Sequence, residues 1–312
     1  MDGRLQVFAG NSNPVLAQAI MGVLEAPLGR ATVGAWKDGE TRVKLDENVR
    51  GSDIFVIQSM CQPVNQNLME LLLLLDAVRR ASASRVTAVV PYFGYARQEK
   101  KTIGREPISA KLVANLLATA GADRLLTLDL HSAAIEGFFD IPVDHLRATP
   151  ILAAHFRRLG IPEVVVVSPD SGGVGRADEF RERAGGSLAI ISRKRPRPEQ
   201  SEVLEMVGDV HGCNAIIVDD MISTGETLVK ASETLLARGA MSVRAAAVHP
   251  VLAGDALAEI AASPIDQVIV TDTIPIPDGV QREKVEVLTV APLLAEAIMR
   301  IHKDLSISAL FT

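Results

Sequence analysis

The stretch AIIVDDMISTGETLVKASETLLARGAMSVRAAAVHP, residues 215–250, carries the pattern from which the fold is read. Residues 215–218 are apolar on consecutive positions, as a strand buried on both faces requires, and such strands belong to parallel sheets covered by helices. Two carboxylates follow, Asp219 and Asp220, then the loop Ser223, Thr224, Gly225, Glu226 and Thr227. The helical pattern LVKASETLLARG and a second apolar run at 242–248 complete the unit. Strand, polar loop, helix, strand in that order is a parallel crossover.

The same grammar recurs in IFVIQSMCQPVNQNLMELLLLLDAVRRASASRVTAVVPY, residues 54–92, where Gln58 and Ser59 stand at the strand end in place of the acid pair. Further short Val/Ile/Leu-rich runs at 124–130, 163–168 and 267–272 alternate with longer helical patterns, so the chain is α/β. With 312 residues against roughly 100–200 per domain, two similar domains are expected, each a mainly parallel sheet flanked by helices. Asn13-Pro14, Ser109 and Thr149-Pro150 read as helix starts. The last of these places the boundary so that the domains span 1–148 and 149–312.

A formal net charge of −6 argues against general nucleic-acid or membrane-surface binding, which needs a net basic face. The most apolar run, LMELLLLLDAVRR, carries Glu70 and Asp76 and reads as a core helix, not a membrane span. Cys61 and Cys213 are too far apart for a metal-ligand spacing, and the opening MDGRLQVFAGNSNP lacks the order of a secretory signal, so a cytoplasmic, reducing location is expected.

Loop amides and hydroxyls at a helix N-terminus favour a phosphate, because unsatisfied N–H groups and the helix dipole point outward there. The loop 223–227, with Asp219 and Asp220 beside it to take hydroxyl groups, is therefore a sugar-phosphate candidate; its plain alternative is an ordinary capped βα loop. His131 and Asp170 each follow an apolar run, at the strand ends where α/β ligand sites open, and an imidazole plus a carboxylate suit Mg²⁺. Spacing alone leaves His131 equally readable as a surface histidine. His145, His155, His211, His249 and His302 lack such a setting. Arg97 and Gln98 offer donors in a Gly-containing polar loop, and Trp36, taken alone, reads as core. The basic stretch SRKRPRPE, 192–199, stands out in an acidic chain and reads, on its own, as a solvated linker, an anion-binding tail or part of an active site.

The loop VDDMISTGET resembles the signature of proteins that bind 5-phosphoribosyl groups, the phosphoribosyltransferases and the ribose-phosphate pyrophosphokinases. WKDGE (36–40), PYFGYARQEK (91–100), DLHSAAIEGFFDIPVDHL (129–146), VVSPDSGGVGRA (166–177) and PLLAEAIMRIHKDLSISALF (292–311) resemble the pyrophosphokinases in order along nearly the whole chain. The resemblance implies two phosphoribosyltransferase-like domains, with the last helix packing back on the first. It also implies transfer of the diphosphoryl group of Mg-ATP to ribose 5-phosphate, giving 5-phosphoribosyl 1-diphosphate (PRPP) and AMP for nucleotide biosynthesis.

By the same resemblance ATP meets Trp36, Asp38, Gly39, Glu40, Arg97, Gln98 and His131. The Mg²⁺ of Mg-ATP is held by His131 and Asp170. Ribose 5-phosphate meets Asp219, Asp220, Ser223, Thr224, Gly225, Glu226, Thr227 and Arg195, and Arg193, Lys194 and Arg195 form a catalytic lid. A homohexamer is implied, with Trp36 reaching a neighbouring subunit's adenine pocket, and phosphate and ADP are implied as effectors through Arg50. The chain departs from the family with Arg193 for the usual lysine, Glu99 for aspartate, Trp36 for phenylalanine and Asn48 for serine. Two other readings stand beside this one: a catalytically silent regulatory subunit, supported by Arg193 and Glu99, and a phosphoribosyltransferase.

Overall fold

The structure is a computed structural model that describes residues 3–194, 203–277 and 283–310. The chain divides into two compact units. The first holds Met1–Arg147, Thr273–Pro275 and Thr289–Thr312. Its elements are β1 (Leu5–Ala9), α1 (Pro14–Leu24), β2 (Ala31–Ala35), β3 (Thr41–Leu45), β4 (Asp53–Ile57), α2 (Val64–Arg80), β5 (Arg85–Val90), α3 (Ser109–Ala120), β6 (Arg124–Leu128) and β7 (Val143–Leu146). A single 3₁₀ segment, Ala133–Phe138, lies between β6 and β7.

The first sheet runs β1-β4-β5-β6-β7, every pair parallel. All five residues of β4 are buried, as its unbroken apolar run requires. β2 and β3 form a separate antiparallel ribbon with alternating half-buried and exposed positions. The core is one cluster in which Ile54, Val56, Leu71, Leu74, Leu75, Val86 and Leu125 are fully buried.

The second unit holds Ala148–Asp272 and Ile276–Leu288. It contains α4 (Thr149–Leu159), β8 (Val164–Ser168), α5 (Val174–Ala184), β9 (Ser187–Lys194), β10 (Val203–Val207), β11 (Asn214–Ile222), α6 (Glu226–Ala237), β12 (Ser242–Pro250), α7 (Ala256–Ala262), β13 (Gln267–Thr271) and β14 (Val285–Leu288). Its seven strands run β10-β9-β8-β11-β12-β13-β14, and only β10 is antiparallel to its neighbour. The chain leaves β8 to one side through β9 and returns on the other at β11, so a topological switch point lies between β8 and β11. The last helix, α8 (Ala291–His302), belongs to the first unit, where it packs on α1.

Of the three helix starts read from the sequence, Asn13-Pro14 holds and the other two differ in detail. Asn13 caps α1 through its Oδ1, which accepts from the Leu16 amide at 3.1 Å. Thr149 lies inside α4 with no capping side chain before it, and the Ser109 hydroxyl donates to Gln98 Oε1 instead of capping α3. The stretch SRKRPRPE begins as strand: the backbone of Arg193 and Lys194 pairs with β10, opposite Leu204 and Val203. Arg195 and the rest of that stretch lie outside the described residues.

α8 is latched by charge. Asp53 is fully buried at the start of β4 and accepts two bonds of 2.8 Å from Arg85, one each from Nε and Nη2. His302 Nδ1 lies 2.8 Å from the same carboxylate, and Arg85 also donates to the Ile301 carbonyl at 2.7 Å and to Asp304 at 2.9 Å. Removing one partner of a buried ion pair strands the other charge, whereas an exposed partner contributes little. Arg85→Ala is therefore expected to lower the stability of the first unit by about 3 kcal/mol in urea unfolding followed by circular dichroism. Asp304→Ala, at a carboxylate 56% exposed, should cost under about 1 kcal/mol.

Candidate functional site

β11 outruns its neighbour. Its last partner on β8 is Ile217 opposite Val167, yet pairing with β12 continues through Asp219 to Ile222 opposite Pro250. The acid pair thus lies within the strand, not at its end as the sequence reading had it, along an edge that β8 leaves open. Arg176, two turns' worth of chain after the β8 terminus on α5, reaches across this notch. Its Nη1 stands 3.3 Å from Asp219 Oδ1 and 3.5 Å from Asp220 Oδ1. Asp219 Oδ1 also accepts from the Asp220 amide at 2.8 Å.

One guanidinium faces two carboxylates, and Arg176 Nε is buried with no hydrogen-bond partner among the described residues. Burial first, and the Asp220 carboxylate second, push Asp219 up to about 8, against the pull of Arg176. Arg176 was quoted in the sequence motif without being singled out. Its signal was a lone arginine in the first turn of an otherwise unpartnered helix start.

Past the acid pair the chain turns into α6. Gly225 takes a left-handed conformation at φ 82°, which any side chain would strain, and precedes the first helical residue. No side chain caps α6, and its leading amides have no intrahelical acceptor. The Ser223 carbonyl accepts from the Ala253 amide at 3.0 Å, tying the loop to the end of β12. Glu226 is engaged with Lys230 one turn on. Asp170 follows β8 on the same side of the switch point. Its Oδ1 accepts from the Gly172 and Gly173 amides at 2.8 and 2.9 Å, which fixes the turn and the carboxylate's direction.

The corresponding strand end of the first unit is closed. Gln58 Nε2 donates to Glu70 at 2.9 Å and to the Asn67 carbonyl at 3.2 Å, while its Oε1 accepts from the Ser12 amide at 3.0 Å. Glu70, fully buried, also accepts from the Asn11 backbone and side chain, both at 3.0 Å. A Cβ on Gly10 would sit 2.5 Å from the Gln58 amide, so only glycine fits. A self-satisfied amide–carboxylate network fills the place where the second unit has its acid pair.

What the first unit does open is the neighbouring edge. Arg97 and Gln98 follow β5, and His131 follows β6, its paired neighbour; Arg97 and His131 are exposed. Gln98 Oε1 is committed to Ser109, leaving its amide nitrogen as the donor it presents. Glu99 pairs with Lys100 at 3.0 Å. Trp36, Asp38, Gly39 and Glu40 lie apart from these loops, on the tip of the β2–β3 ribbon. There Trp36 is 53% exposed with the Arg42 guanidinium 4.6 Å from its ring centroid, so the core reading of this residue fails. The ring is exposed and carries a cation on one face.

His145 is the second residue the sequence reading passed over. Buried on β7, it holds the Leu130 amide on one ring nitrogen and Glu136 on the other. Cys61 is buried, and burial pushes its thiol up to about 11, in keeping with an inert core cysteine. Among the described residues no three His, Cys, Asp or Glu side chains cluster as a metal cage, and no helix is long and apolar enough to cross a membrane.

The comparisons with known proteins agree along the chain. The N-terminal domain of ribose phosphate pyrophosphokinase matches residues 5–121, and the phosphoribosyl synthetase-associated domain matches residues 190–312. A ribose-phosphate pyrophosphokinase of Caldanaerobacter subterraneus subsp. tengcongensis is 52% identical over 310 residues, covering 99% of this chain and 98% of that protein. One from Ralstonia nicotianae is 51% identical over 309 residues, covering 98% of each. The crystal structure of a phosphoribosylpyrophosphate synthetase from Mycobacterium smegmatis superposes with a TM-score of 0.92 at 44% identity, over 96% of this chain and 99% of that one.

The raised Asp219 has a consequence for stability. Between about pH 4 and 8 the folded chain keeps a proton on this carboxyl that the unfolded chain releases, so folding stability falls as pH rises through that window. Asp219→Asn removes the proton uptake. Thermal unfolding at pH 5 and pH 8 should show a smaller drop for the variant than for the parent.

Proposed function

Because the chain belongs to the ribose-phosphate pyrophosphokinase family, we propose that it transfers the β,γ-diphosphoryl group of ATP to the C1 hydroxyl of ribose 5-phosphate, giving PRPP and AMP. The observation that carries this reading is the acid pair beside Arg176, followed by a helix start with no side-chain cap at a switch point, in a chain that matches pyrophosphokinases end to end. The 5-phosphate sits on the amides that open α6 and the hydroxyls of Ser223, Thr224 and Thr227, with Gly225 allowing close approach. Asp219 and Asp220 accept from ribose hydroxyls, and Glu226 closes the loop. In the first unit the adenine stacks on Trp36, whose ribbon also carries Asp38, Gly39 and Glu40 to its polar edges, while Arg97, Gln98 and His131 face the triphosphate.

The anomeric oxygen of ribose 5-phosphate attacks the β-phosphorus of ATP. The bond from that phosphorus to the α,β-bridging oxygen breaks, and AMP leaves with the electron pair. Such a transfer needs alignment and positive charge on the transferred and leaving oxygens more than covalent help. Arg193, Lys194 and Arg195 supply that charge from the stretch that begins at the end of β9, and Arg195 also contacts the ribose phosphate. A carboxylate held open by its own turn at Asp170 and an exposed imidazole at His131 suit Mg²⁺, which takes few protein ligands and fills its shell with substrate oxygens and water. When bound, Mg²⁺ would neutralise phosphate charge.

We propose further that the protein acts as a homohexamer in the cytoplasm, with Trp36 completing a neighbour's adenine pocket, and that phosphate and ADP act as effectors. The domains are assigned as 1–148 for ATP and oligomer contacts, and 149–312 for ribose 5-phosphate and the basic stretch. A silent-subunit reading draws on Arg193 and Glu99, and His131, Asp170 and the loop 223–227 oppose it; a transferase reading leaves the first unit and its loops without a role.

Incubation with ATP, Mg²⁺ and ribose 5-phosphate should yield equimolar AMP and PRPP by anion-exchange chromatography. Absence of AMP at every phosphate and Mg²⁺ concentration would overturn the assignment. Within the basic stretch, Arg193→Ala is expected to lower kcat by about 10²-fold or more with KM for ATP little changed, and Lys194→Ala far less. The opposite ranking would give the transition-state contact to Lys194.

A further inference from the structure

The loop that carries His131 is pinned at both ends by one imidazole. β6 ends at Leu128, the chain turns through Asp129 at φ 36°, and the 3₁₀ segment starts at Ala133. His145 sits on β7, paired opposite Thr127, and its ring reaches past the end of β6. The Leu130 amide donates to His145 Nε2 at 2.8 Å, and His145 Nδ1 meets Glu136 Oε1 at 2.5 Å. Leu130 immediately precedes His131 and Glu136 lies in the segment that follows it, so the ring spans the residues on either side of His131.

The hydrogen bonds fix the tautomer. A backbone N–H can only donate, so Nε2 is bare and Nδ1 carries the proton, which it gives to Glu136. The charged groups facing this ring are Glu136 itself, Arg147 on the residue side of Asp129 at 3.8 Å, and the Arg124–Asp144 pair at 2.7 Å. Burial first, then Arg147, hold the His145 pKa below its ordinary value, in keeping with a neutral ring. Leu130 and His145 are buried, so an amide that lost this acceptor would be left without water to replace it.

We propose that His145, oriented by Glu136, is a positioning residue for nucleotide binding: it holds the backbone at Leu130 so that His131 is presented to the triphosphate. This inference rests on the reading of His131 as an ATP-binding residue. The role is indirect, since His145 is buried behind the loop and touches no reacting atom. A histidine here provides both an acceptor for the loop's beginning and a donor to its end, which an aliphatic residue of similar size does not.

Three variants and two measurements test it. His145→Leu keeps the volume and removes the acceptor, His145→Gln restores an acceptor and donor at similar reach, and Glu136→Ala frees the ring from a half-exposed position without disturbing the core. In hydrogen–deuterium exchange of the protein without substrates, the peptide spanning 129–132 should exchange about tenfold faster in His145→Leu and Glu136→Ala, and near the parental rate in His145→Gln. In steady-state assays His145→Leu should raise KM for Mg-ATP about tenfold while KM for ribose 5-phosphate moves less than about twofold, with His145→Gln restoring most of the difference. Unchanged exchange, an equal rise in both KM values, or a glutamine variant as impaired as leucine would overturn the proposal. A parent protein that makes no AMP would overturn the functional reading instead, and the exchange measurement, which needs no substrate, would still decide whether His145 holds the loop.

Discussion

Parallel strands end together, and that constraint organises the molecule. In each sheet the carboxyl ends of neighbouring strands open on one edge, so the loops that follow them are gathered whether or not they are close in sequence. Arg97, Gln98 and His131 come together because β5 pairs β6. Asp170 and the acid pair come together because β8 pairs β11 and stops first. The apolar interiors of these strands leave little freedom: each is buried from its second residue through its apolar run, and a slip of one residue would drag polar loop residues inward and apolar ones out.

The two units show what the same grammar yields with different side chains. In the first, an amide at position 58 finds Glu70, Asn67 and Ser12, and the strand end becomes a packed polar plug. In the second, Asp219 and Asp220 stand side by side, with Arg176 of the preceding helix 3.3 and 3.5 Å away. A neutral amide both donates and accepts and so completes its own shell from neighbours. The acid pair is held instead by a proton kept on Asp219 and by the guanidinium beside it.

Much of this was legible in the sequence, for reasons that can be traced. Runs such as IFVIQ and EVVVVS announce doubly buried strands, and their loops announce the chemistry at the strand ends. Some strands were not legible: β2 and β3 are half-exposed with no continuous apolar run, and β9 carries arginine and lysine on its last residues, which composition reads as loop. Helix starts were read from capping chemistry, and Ser109 and Thr149 differ because their surroundings supplied other roles. Arg176 and His145 were missed for a common reason. Each acts on residues brought near by sheet pairing, and neither carries a local spacing that marks it.

The placing of two acids side by side at Asp219 and Asp220, one of them buried, itself argues that this strand end is kept for a ligand. Replacing a buried ionic cluster by apolar residues is often neutral or stabilising, so folding alone gives no reason to place two acids there. The first unit shows the solution folding prefers at the matching position, where Gln58 leaves no polar atom of the network short of a partner other than those it was built to meet. The second unit keeps an acid whose carboxyl is driven up to about 8 by its own burial and its neighbour. Local rules broken without a structural gain are expected where a site must meet something from outside.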